Sequence, residues 1–511
     1  MARRLWCTGL GRRGGPLVVL LLVVTALSAC QGWYEQSATT DGSSLSAVAC
    51  PTSSECLAVG SDASGNAVVR QTTDAGGQWV ADTRGVSGLG LSAVSCPDAE
   101  HCVAVGGVSE GGIIAPSNAV LVTTDGGTTW KASTVPSADG YLTSVSCPAV
   151  GHCWATAAVG IVGQSTVIAT TNDATSWSTL PWSAPPFPGG RTGPISSQLN
   201  VITCPTTEVC VAVGQASSTD TSAIPPEETE GVVATTKDGG QTWQSHLVAT
   251  ANDLTGLSCP SVDDCVAAGE DTVVAGQPTT FSAYHVVTTD AGASWTVSTL
   301  AGGSQFAGGH APAVNALACA DTSHCVVVGT VFGTDKYRTA VVATSDGGVT
   351  WSTQATPVPS GAPLDGVACV SPTSCWADGF TSAGAVIVHT VTGGVALPSV
   401  SSVTPDAGAQ AGATAVTITG SGLGDGTPTV RFGTVRATEV TVVSGSEITA
   451  LAPASSGGAT TVDVTVTNPL GTSPVNPGDR YTYQSTSAAD AATPSATVEQ
   501  LLRAWLQSTR H

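Results

Sequence analysis

The sequence predicts an all-β chain, a seven-bladed β-propeller followed by a second, smaller β-sandwich. Three observations predict it. Fourteen of the sixteen cysteines fall into seven pairs of one spacing, C-x5-C, and the first cysteines recur every 46 to 60 residues. An octapeptide of the pattern Thr-x-Asp-x-Gly-x-x-Trp follows most pairs at a fixed place in the repeat. From Pro398 both signatures stop, and a different set of short alternating strands begins. Gly and Pro make up 89 of 511 residues without a collagen period, which implies many turns and few helices.

The first residues read as an export signal. Arg3, Arg4, Arg12 and Arg13 precede an apolar run, Leu17 to Val24, that is too short and wrongly flanked for a membrane span. The run ends in Leu27-Ser28-Ala29-Cys30, which resembles a bacterial lipobox. The resemblance implies that residues 1–29 are a lipoprotein signal peptide and that Cys30 is diacylated; a plain small-residue cleavage site is the alternative. Two acyl chains hold a protein on a membrane where a single chain binds only marginally. The expected location is therefore the cell membrane, lipid-anchored and facing the extracytoplasmic side. The residues leave general secretion and twin-arginine export both open.

Without the four signal arginines, 12 basic residues face 37 acidic ones, a net charge near −25. That balance repels nucleic acid and anionic lipid, so no nucleic-acid partner is expected.

Cys7 leaves with the signal. The remaining pairs are Cys50/Cys56, Cys96/Cys102, Cys147/Cys153, Cys204/Cys210, Cys259/Cys265, Cys319/Cys325 and Cys369/Cys375. Zinc sites prefer C-x2-C or C-x4-C with a second half, and redox pairs are usually C-x-x-C. Neither is present, and no metal or cofactor is expected. Short β-rich runs such as Leu91 to Ser95 and Cys102 to Gly106 flank a Pro-containing turn, a hairpin signal. Cysteines across such a hairpin mouth lie about 4.5–5.5 Å apart at Cα, within disulfide range. Each bridge should contribute roughly 2 kcal/mol by closing its short loop.

The octapeptides carry Asp74 and Trp79, Asp125 and Trp130, Asp238 and Trp243, Asp290 and Trp295, and Asp346 and Trp351. A third copy, read as Thr171 to Trp177 with Asp173, lacks the glycine and counts one residue short. A seventh, around Thr390 to Gly394, has lost both Asp and Trp. The motif resembles the Asp-box of BNR propellers, the sialidase-like and photosystem II assembly factor-like superfamily. Its chemistry is local: Asp accepts backbone N–H bonds, Gly takes angles other residues resist, and Trp packs between blades. The motif is structural, not catalytic.

Every intact octapeptide is followed by a strand. Trp33-Tyr-Glu-Gln-Ser37 is such a strand with no octapeptide before it. It is expected to supply the outer strand of the seventh blade and close the ring, giving a propeller over residues 31–397. Beyond it, Val416-Thr-Ile-Thr-Gly420, Val430 to Gly433, Ile448 to Pro453, Val462 to Asn468 and Tyr481 to Tyr483 resemble, in order and spacing, an IPT/TIG domain. The resemblance implies an immunoglobulin-like β-sandwich over 398–484 that binds or only spaces. Residues 485–511 read as a low-complexity tail with a short C-terminal helix.

In a four-strand meander the cysteine and octapeptide turns share one face, and the second turns and blade-to-blade links share the other. The extra repeat length falls on that second face, where binding usually lives. Its candidate binding residues are Trp182, Phe187, Arg191, Tyr284 and Tyr337, with Phe281, Phe306, His310, Phe332, Lys336 and Arg338 nearby. The run Glu227, Glu228 and Glu230 reads as a solvated loop. The second residue of each innermost strand is small and polar: Ser46, Ser92, Thr143, Asn200, Thr255, Asn315 and Asp365. This ring is expected to hydrate the propeller axis, with Asp365 its only carboxylate.

The expected function is therefore a non-catalytic surface scaffold, recognising a glycan or a surface or secreted protein through the long-loop face. The alternatives are an exo-acting, sialidase-like glycoside hydrolase and a structural spacer. A sialidase needs an arginine cluster, and the mature propeller has only Arg70, Arg84, Arg191 and Arg338. Glu110, Asp220, Glu227, Glu270 and Asp271 are acids without a catalytic motif, so no catalytic residue is assigned.

Overall fold

The structure, a computed structural model, describes residues 33–484 except 83–88, 109–116, 134, 136–140, 159–164, 188–194, 220–226, 249–250, 271–281, 301–311, 333–336, 355, 359–361, 391–397, 424–427, 445, 456, 469–470 and 474. Cys30 and the expected tail helix lie outside the described residues. Two compact units divide between Ala396 and Leu397.

The first unit is a seven-bladed propeller of four-stranded antiparallel sheets. Blade 1 is Ser44–Ala49, Cys56–Ser61, Ala67–Thr72 and Val80–Asp82 in that spatial order. Blades 2 to 6 repeat the meander, with innermost strands Leu91–Ser95, Tyr141–Ala149, Ile195–Thr203, Asp253–Ser258 and Pro312–Cys319. Blade 7 has Leu364–Ser371, Ser374–Phe380 and Ala385–Thr390, and its outer strand is the N-terminal Trp33–Ala38. That strand pairs antiparallel with Ala385–Thr390, from Trp33 opposite Thr390 to Ala38 opposite Val386. The expected closure is the one observed. Trp33 also precedes the residue opposite His389 just as Trp79 precedes the residue opposite Gln71. It is buried, and so fills the octapeptide tryptophan position that the seventh repeat lacks.

All seven cysteine pairs are disulfides within their own hairpins. Their Cα atoms lie 3.9–4.2 Å apart, closer than the ladder spacing expected. The cysteines stand across the hairpin mouth, as expected, and the structure adds their burial. The second cysteine of every pair is buried: Cys56, Cys102, Cys153, Cys210, Cys265, Cys325 and Cys375 are each at most 3% exposed. They stand at the start of the second strand of their blades, and all but Cys375 belong to a core that two blades share. A bridged sulfur makes no strong hydrogen bond and packs as a small apolar group, so it can enter a core without an unmet polar atom. Cys210, Cys265, Cys325 and Cys375 are therefore core residues as much as bridge residues, and no part of an accessible site.

Each octapeptide aspartate caps its own turn. Asp125 accepts from the Thr129 backbone N–H at 2.8 Å and from the Thr123 hydroxyl at 2.8 Å. Two successive left-handed residues follow it, Gly126 and Gly127.

Blade 3 brings a correction. There Asn172, not Asp173, takes the aspartate's part, accepting from the Ser176 backbone N–H at 3.1 Å and the Thr170 hydroxyl at 2.9 Å. The turn has full length, from Thr170 to Trp177. Asp173 is its first left-handed residue, φ 54°, and Ala174 its second, φ 55°.

The cores lie between blades. Trp130 of blade 2 shares one core with Leu57, Val59 and Val69 of blade 1. Trp177, Trp243, Trp295 and Trp351 likewise join cores with the preceding blade. Trp79 meets Trp376 of blade 7 edge-on at 5.7 Å. Each such aromatic buries a large apolar area, worth roughly 2–3 kcal/mol, against the next blade rather than its own.

The second unit is an immunoglobulin-like β-sandwich. One sheet orders Ser399–Thr404, Ala415–Ser421, Glu447–Leu451 and Thr438–Ser444. The other contains Ala407–Ala409, Arg480–Gln484, Thr461–Asn468, Thr429–Phe432 and Val435–Arg436. Alternate inward residues, among them Ile418, Val430, Phe432, Ile448, Val464 and Tyr481, make its core.

Candidate functional site

The seven innermost strands surround a channel of about 360 Å³. The predicted ring lines it: Ser46, Ser92, Thr143, Asn200, Thr255, Asn315 and Asp365. The backbone explains why one position in each strand is special. Every innermost strand has a register shift at its ring residue, between Leu45 and Ala47 in blade 1 and between Leu364 and Gly366 in blade 7. A bulged residue leaves the ladder and its side chain is re-aimed.

Four of the seven side chains do more than line the axis. They reach the next blade. Thr143 donates to the Leu199 carbonyl at 3.2 Å, and Asn200 to the Leu254 carbonyl at 3.0 Å. Thr255 donates to the Val314 carbonyl, and Asn315 to the Leu364 carbonyl at 2.9 Å. In each seam the acceptor is the residue just before the next ring position. A second row sits one turn away: the hydroxyls of Ser95, Ser146 and Ser258 accept the backbone N–H of Cys147, Cys204 and Cys319 in the following blade.

Three further carboxylates, from other columns of the repeat, stand near the ring without lining the channel. Asp253 and Glu270 stand opposite each other in blade 5. Asn200 donates to Asp253 at 2.7 Å, and Glu270 accepts the Val314 backbone N–H at 2.8 Å. Burial pushes Asp253 up to about 6 against the bond from Asn200. Burial pushes Glu270 up to about 7, against its bond from Val314 and with the charge of Asp253 adding to the rise. Asn315 also donates to Asp365 at 2.9 Å, and burial still raises Asp365 to about 6.

Behind it is Asp378, fully buried, with neither carboxylate oxygen hydrogen-bonded. Its pKa is driven well above the ordinary value by burial and then by Asp365. Asp365 is the one carboxylate among the channel-lining residues, as expected; Asp253, Glu270 and Asp378 are not among them. Asp378 was legible by aligning second strands: its column otherwise holds Val59, Val105, Thr156, Val213, Ala268 and Val328. Among the described residues, no group of three or more His, Cys, Asp or Glu side chains is placed to hold a metal ion.

Three of the predicted binding aromatics pack against cores between blades. Phe187 is 5% exposed, in the core between blades 3 and 4. Trp182 is half-buried against the same core, its indole N–H donating to Ser245 at 3.2 Å. Burial removes Phe187 from water and from the binding role assigned to it, whereas Trp182 keeps part of its surface exposed. Tyr284 packs half-buried against the core between blades 4 and 5. Tyr337 opens a strand opposite Phe332. Arg191, Phe281, Phe306, His310 and Lys336 lie outside the described residues, as do Arg84, Glu110, Asp220 and Asp271. Glu227, Glu228 and Glu230 are not in a loop: they begin the strand Glu227–Thr236, and Glu230 is buried. Arg70 is buried beside Asp41 at 2.7 Å, tying down the link into blade 1.

Residues 398–483 match the IPT/TIG domain family. No curated protein matches the chain. Solved structures similar to it include YCF48 bound to D1 peptide, at 16% identity and TM-score 0.46, over 71% of this chain and 94% of that one. YCF48 from Cyanidioschyzon merolae is similar at 15% identity and TM-score 0.47, over 70% and 98%. The GH74 xyloglucanase from Xanthomonas campestris is similar at 12% identity and TM-score 0.45, over 86% and 74%.

Proposed function

We propose that this chain is a non-catalytic, membrane-anchored scaffold that recognises a glycan or a protein through one face of its propeller. The observation that carries the reading is the distribution of turn lengths. In every blade five residues separate the two cysteines that close the first turn. The third holds seven in each of blades 1 to 6, as between Thr72 and Val80 or between Thr344 and Ser352. On the opposite face, the second turn ranges from four residues, between Phe380 and Ala385, to twelve, between Glu270 and Ala283. The links on that face range from four residues, between Val248 and Asp253, to fourteen, between Leu180 and Ile195. A rigid, disulfide-closed face beneath a variable one is how scaffolds present recognition loops.

A screen of the intact chain against glycans and surface proteins tests the reading. Replacing residues 271–281 with a four-residue turn should abolish capture of the ligand found while leaving the thermal midpoint unchanged. Capture that survives replacement of every long turn on this face would overturn it.

The octapeptides fit the Asp-box of BNR propellers in residue type and local bonding. The anchor rests on the lipobox around Cys30. A Cys30→Ala chain should leave the membrane fraction or accumulate unprocessed; if it stays processed and membrane-bound, the anchor lies elsewhere.

A second reading, glycoside hydrolysis, is favoured by Asp253 and Glu270, two carboxyl groups on opposed residues of blade 5 whose pKa values burial raises. Turnover of any glycan that Glu270→Gln abolishes would establish it in place of the first.

A further inference from the structure

Four seams of the ring share one latch, and the residue at that place in blade 7 cannot make it. Thr143, Asn200, Thr255 and Asn315 each donate a hydrogen bond to a carbonyl of the next blade. Asp365 holds the same place in blade 7, and an ionised carboxylate has no proton to donate. By the repeat, the group opposite it is the Leu45 carbonyl of blade 1. An acceptor therefore faces an acceptor where each of those four seams pairs a donor with one.

Asp378 adds two more acceptors. It is 0% exposed, and neither oxygen has a hydrogen-bond partner. A Cβ placed on Gly366 would stand 2.3 Å from Asp378 Oδ1 and 2.8 Å from the Ala47 Cα of blade 1. The carboxylate thus occupies side-chain space that only a glycine in the channel wall leaves open, and it is aimed at the seam. The groups facing this place from neighbouring strands bring no compensating charge. The innermost strands of blades 1 and 6, Ser44–Ala49 and Pro312–Cys319, carry no ionisable side chain besides a disulfide cysteine. Asn315 offers Asp365 one neutral bond.

Buried acceptors in this arrangement require positive charge between them. One proton would bridge one pair and leave most of these oxygens unmet. A hard divalent cation is met by several oxygens at once, and its charge balances two carboxylates. We propose that the seam between blades 7 and 1 is a divalent-cation site, suited to Ca²⁺ by its oxygen donors, formed by Asp365, Asp378 and the Leu45 carbonyl and completed by channel water. The channel supplies both the entry path and the water. The ion would replace the missing latch at the point where the ring closes.

The test is calorimetric titration of the full chain, stripped with EDTA, with CaCl₂ near neutral pH, with thermal unfolding in parallel. One Ca²⁺ should bind per chain and raise the thermal midpoint. Asp365→Asn installs the latch donor used at Asn200 and Asn315, and Asp378→Val installs the residue most other blades carry. Each should fold, lose the bound ion and lose the midpoint shift. Failure of the wild-type chain to bind Ca²⁺ at millimolar concentration overturns the site without recourse to either variant. So does stoichiometric binding that persists in both variants.

Discussion

Asn172 and Asp173 stand side by side in blade 3 and do different things. Asn172 caps the turn through its side-chain oxygen, whereas Asp173 is exposed and sits at φ 54° with no capping role. Asn172→Ala should cost about 1 kcal/mol, as loss of a comparable cap does. Asp173→Gly should instead stabilise by about 1 kcal/mol, because glycine accepts the left-handed region without the Cβ clash. Denaturant unfolding of the two variants separates the assignments, and an equal loss from both would restore Asp173 to the capping role. The sequence misled here because the motif was anchored on the residue type Asp rather than on the Thr-to-Trp spacing. The same attention to residue type found the ring at Ser46 to Asp365, since small polar residues at one place in seven strands stand out. It missed Asp253 and Asp378, which stand out only when each is compared with its own column in the other blades, and it named Glu270 only as an acid without a motif.

Two kinds of closure operate at the level of elements, and both could be read from the chain. Uniform C-x5-C spacing gave the hairpin disulfides, and an orphan strand at Trp33 gave the last blade its outer edge. Spacing alone did not reveal that Cys210, Cys265, Cys325 and Cys375 are buried, because burial depends on the neighbouring blade and not on the hairpin. Nor did any pattern reveal the register shift in every innermost strand, because a bulge changes pairing without changing composition. Removing Trp33–Ala38 should leave Ala385–Thr390 as an open edge and uncover the seam that Trp33 fills. The truncated chain is expected to lose its sharp thermal transition and to self-associate on size-exclusion chromatography. A monomer with an unchanged midpoint would mean that the ring does not depend on this strand.

For the whole molecule, the ionisable groups pull stability in two directions. Asp253, Glu270 and Asp365 have folded pKa values raised to about 6, 7 and 6. Their contribution is complete below the unfolded value near 4 and is lost as pH rises through 6 to 7. Asp238 and Asp290, held by hydroxyl and backbone donors in their turns, have values lowered to about 2. Their contribution is complete above about 4 and is lost as pH falls toward 2. Stability in EDTA should therefore peak at about pH 4, falling from there to about pH 7 and falling again toward about pH 2. Glu270→Gln, which can still accept the Val314 N–H, should flatten the alkaline limb and leave the acid limb alone. A midpoint that rises steadily from pH 5 to about 8 would contradict the burial of these acids. The overall architecture was legible because repeats multiply every weak signal sevenfold. The candidate recognition surface was not, because loops carry no repeat, and aromatics such as Phe187 serve a seam as readily as a ligand.

The strand that completes blade 7 also fixes an order of events. The disulfide hairpins and meanders join residues within one repeat, so each blade can form as soon as its own segment is available. Trp33 meets Thr390 only after the intervening chain has been gathered. Bringing those ends together from an unfolded chain costs about 3 kcal/mol more in loop entropy than pairing neighbouring strands. Closure is then the slowest step of assembly and the most non-local contact in the ring, with the other blades waiting as an open arc. The same bond is the natural place for the native ring to breathe, so amide exchange along Trp33–Ala38 would report opening of the whole circle rather than fraying of one edge.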